Sequence, residues 1–267
     1  MANHAGSFIW YELMTSDANA AARFYGAVVG WRIAGQPDPQ AGGMDYRMIA
    51  RDDGGSAGGV MELAPDMLAR GARPAWVAYL DVLDVDRAAQ SITAHGGQVL
   101  MPKMALPVGE IAMVTDPMGA PFYVMTPVPP PDKPDATSDV FSVDRPQHVR
   151  WNELCTPDVA RAQAFYGEQF GFQFKESMPM GEQLGGYQFI DHGGLRIGGI
   201  MQPPDAAAPC GWTFYFGVRS ALAAKQAIEA HGGAIVMDLG QVPGGDWALI
   251  ATDPQGARFG VVGPQGE

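Results

Sequence analysis

The sequence predicts an α+β fold made of four β-α-β-β-β units, arranged as two homologous copies. Three observations indicate this fold. An ordered set of short motifs occurs twice, at an offset that stays between 136 and 141 residues. Each copy twice alternates one segment of helical hydrophobic period with three short segments typical of strands. The 35 glycines and 22 prolines suit many strands joined by tight turns.

The repeated motifs define the domain organisation. A proline-rich segment, T-P-V-P-P-P-D-K-P at 126–134, separates the copies and is typical of a stiff linker. We therefore predict a first domain over 1–127, a linker over 128–146 and a second domain over 147–267. The matching segments are 10–17 with 151–158 (W-Y-E-L-M-T-S-D and W-N-E-L-C-T-P-D), F-Y-G at 24–26 and 165–167, G-G-V-M at 58–61 with G-G-I-M at 198–201, A-H-G-G at 94–97 and 230–233, and D-P-x-G at 116–119 and 253–256.

The first copy illustrates the order of elements that we expect in both. An aspartate cap should open each copy's first helix at Asp17 and Asp158, and the helix of the first copy should end near Gly30. His95 and His231 fall in the last turn of a helix before Gly-Gly, where a capping role is expected. The expected elements are a strand over Phe8–Met14, the helix, strands over Trp31–Ala34, Tyr46–Ala50 and Gly59–Leu63, a strand over Trp76–Val82, a helix over Asp84–Ala94, and strands near Val99, over Ile111–Thr115 and over Phe122–Thr126.

Composition and charge exclude several classes of protein. Hydrophobic residues make up 47% of the 267 residues, so a disordered chain is excluded. A net charge of −12 opposes binding to nucleic acid or to anionic membranes. No run of 18 apolar residues and no signal peptide is recognised, and two cysteines are too few for a disulfide framework. These features predict a cytoplasmic protein, either monomer or homodimer, whose partner is a small organic molecule.

Taken together, the motifs resemble those of the vicinal-oxygen-chelate superfamily, which includes glyoxalase I, bleomycin-resistance proteins and extradiol dioxygenases. The resemblance rests on three motifs: the first strand followed by D-x-x-x-A-x-x-F-Y-G, the A-H-G-G helix end and D-P-x-G before the last strand. The resemblance implies two glyoxalase-like domains with open curved sheets, in which a divalent metal on the concave face binds two neighbouring oxygens of the substrate.

The metal ligands of that superfamily are not matched in this sequence. The resemblance places its ligand positions at Trp10 and Trp151 on the first strands, Glu62 and Gln202 on the fourth, Val77 and Thr213 (or, one residue earlier, Trp76 and Trp212) on the fifth, and Tyr123 and Gly260 on the last. An indole offers no lone pair to a metal, and one possible ligand per copy falls short of the three or four that transition metals need. We therefore expect no metal and no cofactor.

A carboxylate takes the centre of each first strand. Strand alternation puts Trp10, Glu12 and Met14 on the barrel-facing side in the first copy, and Trp151 and Glu153 in the second. Glu12 and Glu153 are the candidate catalytic acid-base groups, because burial among aromatic residues favours a shifted pKa. Alternatively, both hold the fold together by accepting indole or backbone N–H bonds. The candidate substrate-binding residues are Trp10, Trp151, Tyr46, Tyr187, Glu62, Gln202 and Tyr123, although tyrosines on a curved sheet are often plain core.

The sequence is compatible with two classes of function. The first is an enzyme that converts a small oxygenated molecule without a metal, using Glu12 or Glu153. The second is a non-catalytic protein of bleomycin-resistance type, which sequesters a drug or metabolite between aromatic walls.

Overall fold

The computed structural model describes residues 3–39, 41–181, 185–205 and 210–266. The first copy begins with β1 and α1, and its second unit begins with β5 and α3. Its elements are β1 (Phe8–Thr15), α1 (Ala18–Val28), β2 (Arg32–Ile33), β3 (Tyr46–Ala50), β4 (Ser56–Glu62), α2 (Pro65–Ala69), β5 (Ala75–Asp81), α3 (Val85–Ala94), β6 (Gln98–Leu106), β7 (Gly109–Thr115) and β8 (Pro121–Pro127).

The second copy repeats this order without a counterpart of the short helix α2 among its described residues. Its elements are β9 (Val149–Cys155), α4 (Val159–Phe170), β10 (Ser177–Pro179), β11 (Gly186–His192), β12 (Leu195–Met201), β13 (Gly211–Gly217), α5 (Ala221–Ala230), β14 (Ala234–Gln241), β15 (Trp247–Thr252) and β16 (Arg258–Gly263).

Each copy forms one eight-stranded sheet, and the strand order is the same in both. The first sheet runs β2-β3-β4-β1-β5-β8-β7-β6, and the second runs β10-β11-β12-β9-β13-β16-β15-β14. The first strand of each copy pairs in parallel with the fourth, and the third and fourth are antiparallel. The predicted α+β fold of four β-α-β-β-β units in two homologous copies is confirmed.

The four longer helices begin at the capping residues that the sequence contains. Side chains of Asp17, Asp84, Asp158 and Ser220 each accept the backbone N–H three residues further on, which satisfies one of the open donors of the first turn. At the other end, the ring of His95 contacts the carbonyl of Ser91 at 2.7 Å, and His231 caps α5 in the same way. The capping role expected of these two histidines is confirmed.

The chain also divides into two compact units, and these do not coincide with the two copies. Unit 1 consists of the described residues in Met1–Ile9, Val77–Ser138 and Trp151–Trp212. Unit 2 consists of those in Trp10–Trp76, Asp139–Arg150 and Thr213–Glu267. Each unit therefore combines one half of the first copy with one half of the second. The domain limits 1–127, 128–146 and 147–267 stay a prediction.

The proline-rich segment is exposed from 128 to 139, and the chain then enters unit 2. Val140 is buried, and the Arg51 side chain, only 1% exposed, pairs with Asp53 at 3.0 Å and with Asp139 at 2.5 Å. This buried guanidinium ties the end of the linker to the turn after β3. No helix within the described part of the chain has the length and apolar composition needed to cross a membrane.

Candidate functional site

Each sheet has one face that packs against helices and one that does not, which we call the inner face. In unit 2, the Tyr25 ring of α1 contacts the Trp76, Phe216 and Phe259 rings, which places these side chains on the helix side of their strands. On β1, Tyr11 packs on Phe214, which has the parity of Phe216. Alternation then puts Trp10 and Glu12 on the inner face, as the sequence predicts.

A tryptophan–tyrosine pair lies on the inner face of each copy. The Trp10 indole N–H donates to the hydroxyl of Tyr46 at 2.8 Å, and the Trp151 indole donates to the hydroxyl of Tyr187 at 2.6 Å. In each pair, the strand that carries the G-G motif runs between the two partners. Two of the predicted ligand-binding side chains are thus joined in each copy.

The two glycines of that motif explain how the tyrosine reaches the tryptophan. A Cβ at Gly59 or Gly199 would overlap the ring of Tyr46 or Tyr187, so the absence of a side chain lets the ring lie across the strand. The preceding glycine, Gly58, has a φ of 153°, and a Cβ there would meet the backbone carbonyl of Tyr11. The repeated motif is therefore needed both for strand packing and for the position of the tyrosine.

In the second copy the hydrogen bonds continue to the predicted catalytic carboxylate. The Tyr187 hydroxyl accepts from Trp151 and donates to Oε2 of Glu153 at 2.9 Å. Burial, followed by the nearby Glu153 charge, raises the pKa of Tyr187 well above its ordinary value of 10.0. Tyr187 therefore keeps its proton at neutral pH and holds the carboxylate in place as a hydrogen-bond donor.

The two glutamates differ in how accessible they are. Glu12 is buried, with 2% of its surface exposed, whereas Glu153 and its neighbours Trp151 and Cys155 are only half-buried. Solvent, and hence a dissolved molecule, has better access to the carboxylate of the second copy.

The remaining predicted residues have different surroundings. Glu62 accepts the backbone N–H of Ala18 at 2.9 Å, so its carboxylate lies at the start of α1. Gln202 follows β12 and is exposed. Tyr123 stacks on Tyr79 with ring centroids 4.3 Å apart and an interplanar angle of 17°. A direct role in ligand binding stays a prediction for these three residues.

The donor chemistry at the superfamily's metal positions does not fit a transition metal. At the first-strand positions, the indoles of Trp10 and Trp151 donate hydrogen bonds and offer no lone pair. At the fifth-strand positions, Trp76 and Trp212 lie on the helix side, because they donate to Tyr25 and Tyr166. The residues that follow them, Val77 and Thr213, therefore lie on the inner face. Valine and glycine have no donor atom at all. Among the described residues, no three His, Cys, Asp or Glu side chains are grouped as metal ligands would be.

On the helix side, the motifs F-Y-G and D-P-x-G bind each other within each unit. In unit 2, the Tyr25 hydroxyl accepts from the Trp76 indole at 2.8 Å and donates to Asp253 Oδ2 at 3.1 Å. The other oxygen of Asp253 accepts the turn N–H groups of Gln255 and Ala257. In unit 1 the same three positions are held by Tyr166, Trp212 and Asp116, at 3.0 Å and 3.2 Å.

Burial dominates the ionisation of these groups. Desolvation raises the pKa of Asp253 and Asp116 above their ordinary range, although backbone N–H bonds oppose the shift. It also raises the pKa of Tyr25 and Tyr166 well above 10.0. The networks are fully bonded and enclosed, so we assign them to the fold rather than to catalysis.

The sequence model of the Glyoxalase/Bleomycin resistance protein/Dioxygenase superfamily matches this chain twice, at residues 7–123 and 145–261. The chain belongs to this superfamily. The match occurs once in each repeat, as the resemblance of the motifs predicts.

Two relatives match this chain over nearly its full length. The putative glyoxylase CFP32 of Mycobacterium tuberculosis (strain CDC 1551 / Oshkosh) is 30% identical over 256 residues, which cover 96% of this chain and 94% of the relative. The anthracycline biosynthesis protein DauV of Streptomyces sp. (strain C5) is 26% identical over 273 residues, covering 96% and 93%.

Two solved structures share the fold at low sequence identity. One is the Mn(II)-bound glyoxalase from Novosphingobium aromaticivorans, with a TM-score of 0.63, 17% identity, and coverage of 99% of this chain and 83% of that one. Another is the 2,3-dioxygenase LapB from Pseudomonas sp. KL28, with a TM-score of 0.61, 15% identity, and coverage of 97% and 92%.

One inner-face residue was missed by sequence reasoning. Arg258, at the start of β16, donates from Nε to the hydroxyl of Thr213 at 3.2 Å. The signal was present in the alignment of the two copies, because the position five residues after the aspartate of D-P-x-G is Pro121 in the first copy and arginine in the second.

Proposed function

We propose that this protein binds a small oxygenated organic molecule on the inner face of its second copy and converts it by acid-base catalysis without a transition metal. The observation that carries the proposal is the hydrogen-bonded chain from Trp151 through Tyr187 to Glu153, at 2.6 Å and 2.9 Å. In this network a tryptophan occupies a metal-ligand position of the superfamily, and the carboxylate that the tyrosine orients lies two residues further along the strand.

Glu153 is the proposed acid-base group. The hydrogen bond from the Tyr187 hydroxyl holds this carboxylate in one orientation. The carboxylate is therefore suited to take a proton from a carbon or hydroxyl next to a carbonyl, and to return that proton to a neighbouring atom. The half-buried Trp151 supplies the aromatic surface on which such a molecule would lie.

The difference in exposure makes Glu153, rather than Glu12, the active carboxylate. A half-buried carboxylate can contact a ligand, whereas one that is 2% exposed first requires its neighbours to move. We therefore assign Glu12 mainly to the stability of the first copy.

The names of two relatives are compatible with this class of ligand. One is called a putative glyoxylase, and another an anthracycline biosynthesis protein. Both names support a small organic molecule as the class of substrate.

The proposal is tested by screening small oxygenated compounds, including methylglyoxal, catechol and salicylate, against chelator-treated protein by saturation-transfer NMR. Compounds that bind are then followed for conversion in the same sample. Glu153→Gln should abolish conversion. Glu229→Gln, at an exposed position of α5, removes the same charge and should change nothing.

The outcomes separate the two classes of function. Conversion that depends on Glu153 supports the enzyme. Tight binding with no conversion in the wild type favours sequestration of the ligand instead. Conversion that survives Glu153→Gln contradicts the proposed role of this carboxylate.

A further inference from the structure

Arg258 differs from every other lysine and arginine that the structure describes. It is half-buried, its one hydrogen bond is the 3.2 Å bond from Nε to Thr213 Oγ1, and no carboxylate of the described chain pairs with it. The other lysines and arginines without an ion pair are exposed, and they are Arg23, Arg73, Arg87, Arg161, Lys133 and Lys175.

Buried arginines elsewhere in the molecule are neutralised. Arg47 pairs with Asp45 at 2.6 Å, and Arg51 pairs with Asp53 and Asp139. This is the expected pattern, because a partly desolvated charge is costly unless an opposite charge lies beside it. In a chain of net charge −12, an arginine that lacks such a partner stands out.

The strand register places Arg258 on the inner face of the second sheet. Tyr215 of β13 pairs with Gly260 of β16, and its ring covers the glycine, where a Cβ would overlap it. Thr213 and Arg258 each lie two residues earlier, so both have the parity of Tyr215. Phe216 and Phe259, of opposite parity, are on the helix side.

We propose that Arg258 binds the carboxylate of a small organic acid, with Thr213 fixing the guanidinium. This inference goes beyond the proposed function, because its residues all belong to unit 2. Since Thr213 occupies Nε, the two terminal nitrogens remain for the planar, two-point contact that guanidinium makes with carboxylate.

The first copy lacks this site. Its counterparts of Thr213 and Arg258 are Val77 and Pro121, neither of which has a charge or a hydrogen-bond donor in its side chain. The two copies have therefore diverged at these positions, and the first copy has no arginine where the second has Arg258.

The test follows the side-chain N–H signals of arginine and tryptophan by NMR while benzoate or benzamide is added at constant ionic strength. Benzoate is a one-ring carboxylate, and benzamide is its neutral counterpart of similar shape. We expect a saturable shift of the Arg258 Nε–H signal with benzoate and none with benzamide. Arg258→Met should weaken benzoate binding at least tenfold, whereas the exposed control Arg23→Met should leave it unchanged.

A second variant distinguishes a loss of benzoate binding from a loss of folding. Thr213→Val keeps the shape and the arginine but removes the fixing hydrogen bond, and should weaken benzoate binding by a smaller factor, about threefold to tenfold. Absence of a saturable Arg258 shift up to millimolar benzoate overturns the inference, as does equal binding of benzoate and benzamide.

The Trp151 indole signal keeps this result separate from the proposed function. If Trp151 responds to both compounds while Arg258 responds to neither, the inner face binds ligands and the carboxylate inference alone is wrong. If neither compound shifts the Arg258 signal or the Trp151 signal, both the carboxylate inference and the binding of small aromatic compounds to the inner face are wrong.

Discussion

The hydroxyl of Tyr25 donates a 3.1 Å hydrogen bond to Asp253, a residue 228 positions further along the chain. Tyr25 belongs to the F-Y-G motif of the first copy, and Asp253 to the D-P-x-G motif of the second. Tyr166 and Asp116 form the reciprocal bond in unit 1 at 3.2 Å. The two motifs that identify the superfamily in this sequence are thus partners, and each copy supplies the partner of the other.

Removing either tyrosine hydroxyl should destabilise the protein without altering ligand binding. Tyr25→Phe leaves the Trp76 N–H and Asp253 Oδ2 without their shared partner in a site where Tyr25 is fully buried. We expect a loss of about 1–3 kcal/mol in the free energy of unfolding, measured by urea denaturation, and a similar loss for Tyr166→Phe. A change below about 0.5 kcal/mol in both would show that the networks contribute little.

The buried aspartate Asp253 should make the stability of the protein depend on pH. Burial raises the pKa of Asp253 in the folded state, so the folded protein holds this proton more tightly than the unfolded chain, whose aspartates titrate near about 3.9. Stability from this group is therefore greatest at low pH and falls as pH rises through the folded pKa.

Asp253→Asn removes this titration, and the variant gives the measurement. The destabilisation it causes should be larger at pH 4.5 than at pH 8, in parallel urea unfolding series. Other carboxylates titrate equally in both proteins and cancel in the difference. A cost that grows with pH would contradict the raised pKa.

The glycine behind Tyr187 should control the geometry of the site. Gly199→Ala places a methyl group where the tyrosine ring lies, and should displace the ring and break its bonds to Trp151 and Glu153. We expect a loss of stability and at least a tenfold loss of ligand affinity. In a double-mutant cycle with Tyr187→Ala, the stability costs should be strongly non-additive, because the second change removes the clash. Additive costs would show that the methyl group acts elsewhere.

Much of the fold was predictable because its signals are local. Asp17, Asp84 and Asp158 do cap helices, and the predicted strand Tyr46–Ala50 has the same limits in the structure. The strand β6 extends well beyond Val99 and was incompletely predicted. It contains Pro102 and is largely exposed along its length, so it shows no alternation of apolar and polar residues.

The missed features depend on tertiary contacts. Whether Trp76 or Val77 has inner-face parity is decided by the bond from the Trp76 indole to Tyr25, which lies 51 residues away. The pairing of Tyr25 with Asp253 rather than Asp116 is invisible in the sequence, because both copies contain both motifs. Arg258 belongs to no sequence motif, and only the folded chain shows that no carboxylate among the described residues pairs with it.

The two first-strand glutamates should respond differently to loss of charge. Glu12→Gln changes a residue that is 2% exposed, and should cost about 1–3 kcal/mol of stability because it alters a fully buried polar group. Glu153→Gln, at a half-buried position, should cost less than about 1 kcal/mol. Thermal melts of both variants beside Glu229→Gln measure the contrast, and equal costs would contradict the assignment of different roles.

The central claim is that the second copy acts through Glu153 and not through a metal. The most direct test is to measure, by calorimetry, the affinity for the tightest-binding compound of the ligand screen. The measurement is made before and after exhaustive chelation, on the wild type and on the variants Glu12→Gln and Glu153→Gln. We expect an affinity that chelation leaves unchanged, that Glu12→Gln retains, and that Glu153→Gln lowers at least tenfold. Loss of binding on chelation with recovery on adding Zn²⁺, Ni²⁺ or Mn²⁺, or wild-type affinity in Glu153→Gln, would contradict it.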